Sequence, residues 1–387
     1  MRLTENKLLC GALVFLAALG VYANSVRGTF HWEDEYIVRD NVHIRTLRNI
    51  PAFFRPGYIN VYESGQGQRY RPLRTVTLAL DYAVWKDDAR GYHLTNVLLH
   101  GAASVAGWGL CLAVSGNPGI SLAAGLLFAV HPAHAESVAW VKNRSDILCS
   151  VFYLLSGLLF ALFLKNRRRA LLALSVLALA PAFLAKEMAV TAPIAFTLLL
   201  LWENLSNGRR PEEGWYWLLP HYALLSLYLI FRQGVMSGES LFPGGIWSHL
   251  IFVAGTAGEY IRLLLWPVKL SIERAVPAGP MLGLDVSLAL LAAAALVFFS
   301  FRRRKGALWL SLFLLLLLPV LNISYITGRP FAEQRVYLPS LAFMMFAAWA
   351  AAGSLGRLGG GRRWAAGLLA VLVLAAGGRP LARNSDW

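Results

Sequence analysis

The stretch RRRKGALWLSLFLLLLLPVLNISYI, residues 302–326, places a basic cluster directly before a long apolar run. A helix needs about 20 apolar residues to cross the hydrocarbon core of a bilayer. Lys and Arg in short loops mark the cytoplasmic side of a membrane protein. The stretch therefore predicts a transmembrane helix that enters the membrane from the cytoplasmic side.

The whole chain has a composition typical of membrane proteins. Of its 387 residues, 57% are hydrophobic and 15% are charged, whereas an average soluble domain has roughly 25% charged residues. This composition excludes an ordinary soluble globule and a disordered chain. The three cysteines lie in or beside apolar runs, and they predict neither a disulfide framework nor a metal cluster.

The apolar runs predict an all-α polytopic membrane protein, organised as one domain over residues 1–387. The predicted spans are 8–24, 93–114, 118–133, 146–164, 170–185, 188–204, 215–232, 247–267, 284–301, 307–326, 336–355 and 364–377. The first run also has features of a secretory signal, because Val21-Tyr22-Ala23 is similar to a signal-peptidase site. We favour an uncleaved anchor, since an acidic cluster follows it directly.

The basic residues predict how these spans are oriented. The formal net charge is +15, and the clusters that contribute to it fall in short loops. The clusters lie at 2–7, 165–169, 209–210, 302–305 and 357–363. All are cytoplasmic if the segment 247–267, which contains Glu259 and Arg262, is an interfacial or re-entrant helix. The prediction is then about eleven crossings, with a long first external loop at 25–92 and a second at 233–283.

The first candidate for chemistry is the run HWEDE, residues 31–35, just outside the first span. Three adjacent carboxylates repel one another, and a carboxyl held at the edge of the bilayer can have a raised pKa. Such a group can serve as a general base. The alternatives are a solvated acidic loop and a metal site formed with a nearby histidine.

Two further polar runs are HPAHAE, residues 131–136, and KNRSD, residues 142–146. Ionisable groups at a membrane interface are costly unless they are used. His134 and Glu136 can position a nucleophile or a metal ion, while Lys142 or Arg144 can neutralise a phosphate. The alternative is helix capping and snorkelling. The spacing does not match a zinc-binding HExxH motif.

Lys186 and Glu187 stand between two apolar runs, where an ion pair is costly unless the residues form a short external turn. The run EQRVYLPS, residues 333–340, begins a span on the external side. Its Arg335 can contact an anionic headgroup, and Tyr337 suits the aromatic belt. The alternative for this run is a simple interface anchor.

Asn96 and His100 lie in the run YHLTNVLLH, residues 92–100, and share one helix face. An intramembrane hydrogen bond between helices is the alternative to a functional role. The sequence contains no P-loop, dinucleotide fingerprint or GxSxG nucleophile elbow, so a nucleotide-dependent enzyme or a soluble-type hydrolase has no support.

Taken together, these runs resemble the C superfamily (GT-C) of polytopic glycosyltransferases, and within it the bacterial relatives of the transmembrane-and-TPR O-mannosyltransferases. The resemblance rests on Arg71-Pro72, 92–100, 131–136, 143–146, Lys186-Glu187, 266–271 and 333–340. These motifs cover nearly the whole chain in order. The resemblance implies transfer of a sugar from a polyprenyl-phosphate donor to an acceptor hydroxyl, on the periplasmic face of a bacterial inner membrane.

The resemblance also implies roles for individual residues. Asp34 or Glu33 is expected to be the general base. The leaving lipid phosphate needs fixed cations, for which the candidates are Arg144, Lys186 and Arg335. Positioning roles are expected for His131, His134, Glu136, Glu187, Arg71, His93 and Tyr337. A single displacement would invert the anomeric centre.

The expected partners are the lipid-linked donor, a protein, glycan or lipid acceptor, and membrane lipid, without nucleic acid. No metal ligand is assigned and a divalent metal is not favoured.

Two features depart from the family pattern. The family often has Asp-Asp where this chain reads Glu33-Asp34-Glu35, which favours Asp34 as the base without excluding Glu33. Family members commonly continue into external repeats, whereas this sequence stops at Trp387, so we expect either a member without a TPR domain or a truncated one. A polyprenyl-linked glycan ligase or polymerase, and a lipid or solute transporter, are the alternative functions.

Overall fold

A computed structural model describes residues 6–55, 70–233, 245–267, 270–271, 287, 304–321, 331–355 and 377–384. The regular structure within these ranges is helical, which confirms the predicted all-α class. The α-helices are α1 Lys7–Tyr22, α2 Ile50–Phe53, α3 Pro72–Trp85, α4 Ala89–Ser115, α5 Pro118–Ala129, α6 Ala135–Ala139, α7 Arg144–Asn166, α8 Arg169–Ala185, α9 Ala192–Ser206, α10 Leu219–Gln233, α11 Gly245–Leu265, α12 Arg304–Leu317 and α13 Tyr337–Leu355. Residues 377–383 form a further helical segment.

Several of these helices have the length and composition of membrane spans. Within the described ranges, five are long and apolar enough to cross a bilayer: Lys7–Arg27, Ala89–Ser115, Val141–Asn166, Glu187–Ser206 and Glu333–Gly353. Three shorter apolar helices accompany them: Pro118–Ala129, Arg169–Ala185 and Gly306–Val320. The chain is therefore a multi-pass membrane protein. The total of about eleven crossings stays a prediction, because the predicted spans 284–301 and 364–377 lie almost wholly outside the described residues.

The turn between α4 and α5 shows how local sequence sets the helix ends. α4 ends at Gly116, whose φ of +65° lies in the left-handed region that glycine adopts without strain. The Asn117 side chain then accepts the N–H groups of Gly119 and Ile120, both at 3.1 Å, and Pro118 opens α5. The two helices therefore reverse direction within two residues.

Small residues allow the membrane helices to approach closely. A Cβ at Gly101 of α4 would lie 2.6 Å from the Phe15 ring of α1, and one at Gly125 of α5 would lie 2.8 Å from Trp108. Ser156 of α7 and Ser175 of α8 donate to each other's backbone carbonyls at 2.8 and 2.9 Å. Small and hydroxyl-bearing residues are the usual means of packing helices in lipid, where burial of apolar surface gives no driving force.

The connections sort into two ends of the bundle. One end carries the short loops that contain the basic residues at 165–169 and 209–210. The opposite end, which we call the polar end, carries residues 23–49, 130–143, 186–191 and 331–336. α11 also finishes there, because the Leu264 carbonyl lies 3.2 Å from the His131 Nε2 atom.

The predicted first external loop, 25–92, contains more structure than a loop. It includes α3, a π-helical turn at Glu35–Arg39 and several short helical turns. α3 packs against α4 and α8 and buries one face, which includes Arg74, Leu78 and Asp81. The other face of α3 is exposed at Leu80 and Val84. The apolar run of α3 is too short to span a membrane. A prediction based on apolar length therefore assigns these residues to the loop.

Candidate active site

Asp34 lies in the polar end, on the segment 23–49. Only 1% of the residue is exposed. Its Oδ1 atom accepts the backbone N–H of Lys142 at 2.8 Å, and Oδ2 accepts that of His31 at 3.4 Å. Burial raises the pKa of Asp34 to about 7, against the opposing effects of these N–H groups and of the Arg144 charge. A carboxyl with this pKa exchanges a proton readily near neutral pH.

Glu33 stands on the outer side of Asp34 and forms an ion pair with the Lys142 ammonium. The Glu33 side chain is 38% exposed, whereas that of Lys142 is 10% exposed. The Lys142 Nζ atom also lies 5.1 Å from the ring centroid of Trp140. Lys142 thus touches both candidate bases, Asp34 through its backbone and Glu33 through its side chain.

The runs 131–136, 142–146 and 333–340 meet beside this carboxyl pair. The Asn143 Nδ2 atom donates to the Gln334 side chain at 2.7 Å and to the Glu136 carbonyl at 3.0 Å. The Glu136 carboxylate in turn accepts the backbone N–H of Gln334 at 3.1 Å. These bonds fix the short turn Glu333–Val336, and with it Arg335, which is half-buried.

Arg144 occupies a different environment from the one expected for a phosphate ligand. Its side chain is fully buried and pairs with Asp81 at 2.6 Å. Nε donates to Asn96 at 2.7 Å and Nη2 donates to the Tyr92 carbonyl at 2.8 Å. All three guanidinium nitrogens therefore face acceptors from α3 and α4, and the side chain joins these helices to the start of α7.

Two further ion pairs lie at the same end. The Lys186 Nζ atom is 2.5 Å from Asp146 Oδ1, and both side chains are largely buried. The Arg71 Nη2 atom donates to Glu187 at 2.8 Å, and the Glu187 side chain is 40% exposed. Lys186 and Glu187 are consecutive, so the two pairs are adjacent and Glu187 opens this cluster to the surface.

The histidines form an interior cluster with aromatic neighbours. His134 Nε2 lies 2.8 Å from the Ser340 hydroxyl, and the His134 ring centroid lies 4.7 Å from that of Tyr337. Burial lowers the pKa of His131 to about 4 and that of His134 well below its usual value, which keeps both rings neutral at pH 7. His93 is fully buried and contacts the Thr29 carbonyl at 3.2 Å. These rings support the polar end from within.

The structure brings together residues that the sequence patterns leave apart. Gln334, Asp81 and Asp146 each contact a predicted site residue, although none carries a predicted role. The sequence pattern does not indicate a role for Asp81, because a single acid in an amphipathic helix is typical of a solvated face. Within the described ranges, no group of three or more His, Cys, Asp or Glu side chains is placed to hold a metal ion.

These features define a class of protein: an all-helical, multi-pass membrane protein with a buried carboxyl and several cations gathered at one end of the bundle. No protein-family model matches the chain. Individual relatives do. Protein O-mannosyl-transferase Tmtc1 of Drosophila melanogaster is 34% identical over 189 residues, which cover 47% of this chain and 21% of the relative.

Two further relatives have related names. Protein O-mannosyl-transferase tmtc2 of Xenopus laevis is 36% identical over 37% of this chain and 18% of the relative. Protein O-mannosyl-transferase Tmtc2 of Drosophila melanogaster is 30% identical over 291 residues, which cover 70% of this chain and 31% of the relative. The chain is therefore similar to named O-mannosyltransferases, and it spans less than a third of their length.

Proposed function

We propose that this chain is a membrane glycosyltransferase that moves a sugar from a polyprenyl-phosphate donor to a hydroxyl group on a protein. The names of its relatives suggest that this sugar is mannose. The observation that carries the proposal is Asp34, a buried carboxyl whose pKa is about 7. Buried ionisable groups of this kind occur in membrane proteins mainly at functional sites. The similarity to proteins named O-mannosyl-transferases supplies the reaction class.

Asp34 serves as the general base. As the acceptor oxygen bonds to the anomeric carbon, the hydroxyl proton passes to an Asp34 oxygen, and the bond from that carbon to the phosphate oxygen breaks. The electron pair of the broken bond leaves on the polyprenyl phosphate. Attack opposite the leaving group inverts the anomeric centre. Glu33 is the alternative base, although its carboxylate is already engaged in an ion pair with Lys142.

Arg335 and Lys186 balance the charge that develops on the leaving phosphate. Arg335 is half-buried and its turn is held by Glu136 and Asn143, so its position is fixed before the donor arrives. Lys186 is paired with the largely buried Asp146, but it lies next to the partly exposed Glu187, so its ammonium has to turn from Asp146 toward the phosphate when the donor binds. We assign Arg144 a structural role instead, because its guanidinium is fully buried and engaged with Asp81, Asn96 and the Tyr92 carbonyl.

The basic loops support an assignment of the site to one side of the membrane. The polar end lies opposite these loops, so we place the reaction on the external face. In a bacterial cell this would be the periplasmic face of the inner membrane. The end of α11 beside His131 fits a segment that does not cross the bilayer.

The proposal is tested with the purified chain in lipid nanodiscs, polyprenyl-phosphate [³H]mannose and a hydroxyl-rich acceptor protein. Wild type transfers the label, and Asp34→Asn lowers the rate at least about 100-fold, as expected for loss of a general base. Glu35→Gln is the matched control, since Glu35 is a partly exposed neighbour paired with Arg39. Transfer by Asp34→Asn at the wild-type rate would contradict the base assignment.

A further inference from the structure

Trp32 combines an exposed ring with a strained backbone. The residue is 56% exposed, although it is adjacent to Glu33 and two residues before the buried Asp34. Its φ is +50°, in the left-handed region. A bulky L-residue is rarely found there, because its Cβ crowds the following carbonyl oxygen. Strain of this kind persists only where the surroundings impose it, and it often marks a functional position.

The surroundings of Trp32 fix its ring. The backbone closes a tight turn in which Asp34 N–H donates to the His31 carbonyl at 2.9 Å and Glu35 N–H donates to the Trp32 carbonyl at 3.2 Å. The Trp32 ring packs edge-to-face with Trp140, at 5.6 Å between centroids and an interplanar angle of 79°. Trp140 is only 2% exposed and so is a rigid support.

Resting on the proposed function, we infer that Trp32 is a stacking platform for the pyranose ring of the donor sugar. The face of an indole ring carries negative charge density, and the axial C–H groups of a pyranose are weakly positive. More than half of the Trp32 residue stays open to such a ring. The left-handed turn sets this platform two residues before the carboxyl that takes the proton. One short segment, 31–34, would then both hold the sugar and activate the acceptor.

A tryptophan that only anchors the protein in the membrane interface would need no strained backbone. Trp215 offers the comparison, because it is 58% exposed but lies at the end of the bundle that carries the basic loops. Arg167, with φ of +54°, has a similar left-handed backbone at that end. Trp215 therefore isolates the effect of an exposed indole, and Arg167 isolates the effect of a strained φ. Both residues lie away from the candidate site.

The test measures binding of two lipids, polyprenyl-phosphate mannose and bare polyprenyl phosphate, to the full chain in nanodiscs. Wild type is expected to bind the mannose lipid about 3- to 10-fold more tightly, the gain of one aromatic stacking contact. Trp32→Leu should bind the two lipids equally, and Trp32→Phe should keep part of the preference. Trp215→Leu and Arg167→Gly should behave as wild type.

Trp32→Gly guards against misfolding, since glycine adopts a φ of +50° without strain. It should unfold at or above the wild-type temperature and still lose the preference for the mannose lipid. Equal binding of the two lipids by wild type, or an unchanged preference in Trp32→Leu, would overturn the platform. A preference that depends on Trp32, in a protein that transfers no mannose, would keep the platform and refute the proposed transfer reaction.

Discussion

Replacing Arg144 with methionine is expected to destabilise the protein rather than to impair donor binding alone. The change leaves Asp81 without its ionic partner at a position where its side chain is only 9% exposed. Removing one member of a buried ion pair costs about 3–5 kcal/mol. The hydrogen bonds to Asn96 and to the Tyr92 carbonyl are lost as well. Since folded domains are stable by about 5–15 kcal/mol, this loss is a large fraction of the total.

A double-variant cycle measures the effect. The single variants are Arg144→Met and Asp81→Leu, and the double variant carries both. Replacing both members of a buried pair with apolar residues is often nearly neutral, so the double variant should recover most of the stability lost by Arg144→Met. The readouts are the yield of monodisperse protein after detergent extraction and the temperature of unfolding in nanodiscs.

The opposite outcome would place Arg144 at the donor phosphate. If Arg144→Met keeps the wild-type yield and unfolding temperature but binds polyprenyl-phosphate mannose weakly, then Arg144 contacts the donor phosphate. The double variant would then fail to restore donor binding, because Asp81→Leu supplies no cation.

Three further predictions concern the other charged groups. Lys186→Met should raise the KM for polyprenyl-phosphate mannose about tenfold or more and should also lower the unfolding temperature, because it leaves the buried Asp146 without its ion pair. Lys186→Arg should keep most activity, as steady-state kinetics will show, and an unchanged KM for Lys186→Met would remove Lys186 from the phosphate site. Arg383→Met should lower the unfolding free energy by about 3 kcal/mol, because Arg383 pairs at 3.0 Å with the fully buried Glu333; thermal unfolding at the wild-type temperature would contradict this. Because folding raises the pKa of Asp34 from 3.8 to about 7, its contribution to stability is present below pH 3.8 and is lost as pH rises through 7. Unfolding measured across that range should show wild type losing up to about 4 kcal/mol relative to Asp34→Asn, and parallel pH curves would contradict the raised pKa.

The sequence predicts the membrane helices well because their signal is local. Spans such as 93–114 and 146–164 fall within α4 and α7, since long apolar runs in lipid have few alternatives to a helix. The helix α3 was not predicted as a regular element. It is 14 residues long and amphipathic, and its buried face becomes visible only when α4 and α8 pack against it.

The candidate site was likewise predictable only in part. The motifs at 131–136, 142–146 and 333–340 could be selected from residue type alone, because clustered ionisable groups are costly at a membrane interface. The contacts that these residues make with one another could not be predicted from residue type. Whether Arg144 faces a ligand or Asp81 depends on a contact between residues 63 positions apart, and only the folded chain decides it.

The pH dependence of mannose transfer would show whether Asp34 takes the proton of the acceptor hydroxyl. For wild type, kcat/KM should rise as pH increases and level off above pH 7, because the ionised form of Asp34, with a pKa of about 7, is the active one. Asp34→Asn should show a low rate without this rise. A wild-type profile that is flat between about pH 5 and 8, or an Asp34→Asn profile that rises as wild type does, would contradict the account.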